Sequence, residues 1–81
     1  MRIQVLYFAS AREAAGVGAE TIDVPEGTRV ATLRTLLGGR HPRLAAAWPS
    51  TRFALGERFA ADDDALETGS VVALIPPVSG G

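Results

Sequence analysis

The sequence predicts a small α+β domain in which one mixed sheet packs on one main helix and a short tail leaves the last strand. Three observations carry this expectation. Apolar, β-branched segments stand near both ends of the chain, as RIQVLYFA and SVVALI. Between them, RVATLRTLLGG carries the longest apolar stripe at helical spacing, and PPVSGG follows the final apolar run.

In RIQVLYFA, Ile3, Val5 and Tyr7 share one phase of a strand while Leu6 and Phe8 share the other, so both faces are partly apolar. SAREAAG reads as one or two helical turns. Ser10 is expected to cap them, Glu13 to complete a capping box, and Gly16 to supply a left-handed stop. AETIDVPEG alternates through Ile22 and Val24 as a second strand, antiparallel to the first and ended by Pro25 and a turn at Glu26-Gly27. Thr28 is expected to cap the main helix, with Val30, Leu33, Leu36 and Leu37 on its inner side, Arg29 and Arg34 off it, and Gly38-Gly39 ending it. HPRLAAAW reads as a short helix with Pro42 in its first turn and Leu44 and Trp48 turned inward.

TRFALGERFAA reads as a hairpin pivoting at Gly56 and Glu57, with Phe53, Leu55 and Phe59 as its apolar residues. Asp62 to Asp64 fall in a solvated loop anchored by Leu66, and SVVALI is the last strand. The order β-β-α-β-β and a right-handed crossover place that last strand parallel to and beside the first. The chain then leaves from the centre of the sheet. The domain is expected to span residues 1–75 and the tail residues 76–81.

Composition narrows the chemistry. A chain of 81 residues supports one core and buries about 60–65% of the surface its unfolded form exposes, which leaves little room for a deep catalytic cleft. It has no cysteine, which excludes disulfides, thiolate metal sites and a persulfide on a side chain. The formal net charge is −1, and the basic residues, all arginine, are scattered rather than striped, so no nucleic-acid partner is expected. IQVLYFA is too short for a membrane span or a signal sequence, so a cytoplasmic protein without a membrane partner is expected. His41, directly before Pro42, reads as a surface residue at a helix start, and no metal site is expected.

The tail is where chemistry concentrates. Pro76 and Pro77 have no N–H to donate and hold an extended backbone, so they end the sheet ladder and stiffen the exit. Val78 and Ser79 lead to Gly80-Gly81, a tip narrow enough for a channel on another protein. A terminal carboxylate, with a pKa of about 3.3–3.7, is ionised at neutral pH and is a poor acyl electrophile. Joined to AMP it gains a leaving group, and an amine or sulfide can then take the acyl group. A frayed Ser-Gly-Gly would need no such chemistry. The rigid Pro-Pro and the element order of the domain, which matches the β-grasp pattern, favour the chemical reading.

The start VLYFASAREAAG and the end LETGSVVALIPPVSGG resemble the small subunits of molybdopterin synthase, a family of ubiquitin-like β-grasp sulfur carriers, and the likeness runs over nearly the full chain. Gly56 stands where many members carry Asn, and Ser70 replaces the usual acidic residue after Gly69. The thiamine-pathway sulfur carriers share the fold and the diglycine but lack the Pro-Pro-Val-Ser run. The resemblance implies that Gly81 is adenylated by a ubiquitin-activating-type adenylyltransferase and converted to a thiocarboxylate. That group then gives its sulfur to cyclic pyranopterin monophosphate inside the large subunit of molybdopterin synthase, in a heterotetramer. It implies a protein co-substrate rather than an enzyme, with no bound cofactor and only the acyl-adenylate and thiocarboxylate as covalent intermediates.

Phe8, Phe59 and Ile75 are the expected partner surface, because Phe8 lies off the phase of the inward-facing residues and an apolar second face near the tail suits a docking site. Two other function classes fit a β-grasp domain. One is a protein modifier joined to lysines by an isopeptide bond, which could not build chains on itself through side chains because the sequence contains no lysine. The other is an interaction module with an inert tail.

Overall fold

The computed structural model describes residues 1–77, and Val78, Ser79, Gly80 and Gly81 of the expected tail lie outside the described residues. Strand β1 (Arg2–Tyr7) buries Ile3, Val5 and Tyr7 on one face, as the alternation predicts. Helix α1 (Ala9–Ala15) follows, then β2 (Ala19–Asp23), α2 (Val30–Arg40), α3 (Pro42–Ala45) and a single 3₁₀ turn (Trp48–Ser50). The hairpin β3 (Arg52–Leu55) and β4 (Arg58–Phe59) turns at Gly56, whose φ of 63° suits a residue without Cβ, and β5 (Val71–Ile75) closes the fold.

The five strands form one mixed sheet in the order β2-β1-β5-β3-β4. β1 pairs antiparallel with β2 and parallel with β5, so the last strand lies at the centre beside the first. The core lies between the inner face of this sheet and the helices. Val5, Val72 and Leu74 meet Val30, Leu33, Leu37 and Leu44 there, all fully buried. Leu66 anchors the long loop before β5, as expected.

Four local expectations are corrected. Ser10 does not cap α1, because Ala9 takes a left-handed φ of 48° that turns the chain one residue earlier. The cap position falls on Phe8, whose carbonyl accepts the N–H of Ala11, and no side-chain capping box forms. Thr28 does not cap α2 either. Its hydroxyl donates to Pro25 O at 2.6 Å and closes the preceding turn. The free N–H groups of Val30 and Ala31 donate instead to the carbonyls of Asp64 and Asp62, so the acidic loop caps the main helix through its backbone.

Gly38 and Gly39 do not end α2, which runs to Arg40 and closes with His41 N–H on Leu37 O. A Cβ at Gly38 would stand 3.2 Å from Trp48 Nε1 and 3.4 Å from Ala45 Cβ, so this glycine makes room for the segment packed against the helix. His41, finally, is not a surface residue. Its side chain is mostly buried and its Nε2 lies 2.5 Å from Glu20 Oε2.

Candidate functional site

The outer face of the sheet is built from two rows of side chains that the strand registers bring side by side. Leu6, Ala73, Ala54 and Phe59 form one row, through the pairs Leu6↔Ala73, Ala54↔Ala73 and Ala54↔Phe59. The next outward row holds Ile75 and Arg52, which are register partners, and Phe8. Phe8 follows directly on the pair Tyr7↔Leu74 and donates its N–H to Leu74 O at 3.3 Å. Four strands and the residue that follows β1 thus contribute to one apolar surface.

Phe8 is 48% exposed, Phe59 50% and Ile75 37%, so each of the three residues expected at the partner surface leaves much of its side chain in water. They lie where the chain leaves β5 for Pro76, and the outer face is therefore continuous with the start of the tail. Sequence alternation also assigns Val71 to this face, where it is 42% exposed, although the reading of the sequence did not single it out. Arg52 escapes that reading entirely. Its guanidinium carbon stands 3.9 Å from the centroid of the Phe59 ring, a contact made across the hairpin and invisible without the register. Beside this pair, Ala54, Gly56, Glu57, Arg58, Phe59 and Ile75 border an open depression of about 260 Å³.

Phe8 keeps the extended conformation of the strand, and the turn that follows it is strained. A left-handed alanine is disfavoured by about 1–2 kcal/mol, yet Ala9 adopts it at φ 48° directly after Phe8. The turn before β5 is closed by Ser70 Oγ, which accepts the backbone N–H of Glu67 at 2.8 Å.

Behind the same end of the sheet lies a polar cluster. Glu20 on β2 accepts the Tyr7 hydroxyl at 2.8 Å and His41 Nε2 on one oxygen, and pairs with Arg40 Nε at 2.9 Å on the other. Burial alone would raise the Glu20 pKa, but the hydrogen bonds from His41 and Tyr7 and the charge of Arg40 outweigh it and hold the carboxyl below its usual range. The Tyr7 hydroxyl is pushed well above its ordinary pKa by burial and by its bond to Glu20, and so stays a neutral donor. This cluster ties the end of α2 to β1 and β2. No group of three or more candidate metal ligands occurs among the described residues.

The geometry offers an exposed apolar face that reaches the end of β5 at Ile75. The profile of the ThiS family matches residues 5–81. The chain belongs to that family. A "Molybdopterin synthase sulfur carrier subunit" of Chlamydomonas reinhardtii is 40% identical to this ThiS-family chain, with all of both chains covered. Among solved structures, a putative molybdopterin converting factor subunit 1 from Pyrococcus furiosus is 32% identical, with a TM-score of 0.88 over 96% of this chain and 99% of that one. The small archaeal modifier protein 1 of Haloferax volcanii is 26% identical, with a TM-score of 0.85 over 95% of this chain and 98% of that one. These neighbours share the ubiquitin-like β-grasp architecture, which is the fold of this ThiS-family domain. No helix among its described residues is long and apolar enough to cross a membrane.

Proposed function

We propose that this chain is the sulfur carrier of molybdenum cofactor biosynthesis, acting as a non-catalytic small subunit whose C-terminal glycine bears the transferred sulfur. The observation that carries the reading is the continuity of the apolar face with the tail: Ile75 ends β5 within the exposed row and Pro76 follows it directly. A partner that covers Phe8, Phe59 and Ile75 receives the tail in a set direction. The large subunit of molybdopterin synthase is the proposed partner. A ubiquitin-activating-type adenylyltransferase uses the same tail earlier.

The chemistry belongs to Gly81, outside the described residues. Its carboxylate displaces pyrophosphate from ATP to form an acyl-adenylate. A sulfide equivalent attacks the carbonyl carbon, AMP leaves, and a thiocarboxylate remains. No cysteine in the chain can hold sulfur instead. In the synthase the thiocarboxylate sulfur passes to cyclic pyranopterin monophosphate. Val78 and Ser79 with Gly80 serve as the slender lead into the partner's active site, and Pro76 and Pro77 as its stiff base.

Intact mass after incubation with ATP, a sulfur source and the activating enzyme tests this reading. One oxygen replaced by sulfur, localised to the terminal peptide, is expected. Gly81→Ile should suppress the exchange because its side chain crowds the carbonyl. Sulfur found elsewhere in the chain, or equal exchange in Gly81→Ile, would refute the proposal. The likeness to small archaeal modifier protein 1 favours a second reading, conjugation to other proteins. A stable isopeptide adduct on their lysines under the same conditions would support it.

A further inference from the structure

We infer that Arg52 is the charged determinant of the docking face, and that the partner surface covering Ile75 and Phe59 presents a carboxylate to its guanidinium. The inference rests on the proposed function and names the chemistry of the partner at that face.

Arg52 is the cation of the outward rows, opposite Ile75 in register and stacked on Phe59 at 3.9 Å. Five other arginines find acceptors within the chain, while Arg12 and Arg43, which also make no ion pair among the described residues, lie outside the outward rows. Arg2, Arg34, Arg40 and Arg58 each pair with a carboxylate, and Arg29 donates to Asp63 O. Among the described residues Arg52 makes no ion pair and no side-chain hydrogen bond. Its position is unusual for such a group, because a partner that buries Ile75 and Phe59 must bury the guanidinium between them as well.

An arginine taken out of water without an acceptor opposes binding, whereas one matched by a carboxylate in a two-bond fork supports it. The stack on Phe59 holds the planar group against the sheet, with its N–H edge left to meet a partner group. Arginine beside an aromatic ring is also the composition that dominates interface anchors. An aliphatic side chain at position 52 would have completed the apolar row. The arginine makes the face discriminate instead: a partner with the right shape but no acid at this point is penalised.

Affinity for the purified large subunit of molybdopterin synthase from the same source tests this, measured by calorimetry at low and at high salt. Arg52→Met keeps an apolar stem and removes the charge, and should weaken binding at least tenfold while flattening the salt dependence. Arg52→Glu should weaken it further, and Arg52→Lys, which keeps the charge without the fork, should fall between the wild type and Arg52→Met. Melting temperatures should match the wild type throughout, since Arg52 is exposed. Equal or tighter binding by Arg52→Met would overturn the inference and leave the functional reading standing. Failure of the wild type to bind the large subunit would overturn both.

Discussion

Replacing Glu20 by alanine removes one acceptor that three groups share. The Tyr7 residue is only 2% exposed, and its hydroxyl donates to Glu20 at 2.8 Å. Without that carboxylate the hydroxyl is left unpaired in a buried place, at about 1–3 kcal/mol, His41 loses its hydrogen-bond partner and Arg40 its counter-ion. Taking about 2 kcal/mol, and about 4–8 °C per kcal/mol for a domain of this size, the melting temperature should fall by roughly 8–16 °C. Tyr7→Phe removes the donor rather than the acceptor and leaves Glu20 with His41 and Arg40, so it should be destabilising by less than about 1 kcal/mol. In the double variant no hydroxyl is orphaned. Its destabilisation should therefore be smaller than the sum of the two single ones, by about 1 kcal/mol. Urea unfolding followed by circular dichroism measures all three. A Glu20→Ala domain within about 0.5 kcal/mol of the wild type, or strict additivity in the double variant, would refute the reasoning.

The same cluster sets an acid limit. The Glu20 pKa is lowered in the fold, so its contribution is complete above the ordinary glutamate value of about 4.3 and is lost as pH falls through the lower folded value. Stability should drop below about pH 4, and Glu20→Gln should flatten that part of the profile; an unchanged profile would remove Glu20 as its source. Phe59→Asp withdraws about 100 Å² of exposed ring from the partner, or about 2.5 kcal/mol and roughly 60-fold in affinity. Phe53→Ala, at a residue 2% exposed on the other face, should instead destabilise the fold by about 3–5 kcal/mol. Binding and melting data that failed to separate the two phenylalanines would contradict the two-faced sheet. Ala9→Gly relieves a left-handed alanine and should raise stability by about 1 kcal/mol; a lower melting temperature would show that no strain is stored there.

By itself the sequence determined the architecture. Alternation of period two assigns Ile3, Val5 and Tyr7 inward and Phe8 outward, because successive side chains of a strand point to opposite faces whatever lies beyond them. The same local rules place the hairpin at Gly56 and the end of the sheet at Pro76. Capping and the roles of single polar residues were decided only by tertiary structure. Ser10 and Thr28 have the composition of caps, yet the bonds that finish α2 come from Asp62 and Asp64, some thirty residues further along the chain. Gly38 has the composition of a helix stop, but the space it leaves is filled by Trp48. His41 has nothing in its sequence neighbourhood to hold it, and acquires Glu20 and Tyr7 only when β1, β2 and the end of α2 converge. Arg52 likewise gains its ring and its place in the apolar row from strand register. In each case the deciding partner is distant in sequence, and a hydrogen bond or packing contact can be counted only where both of its ends are present.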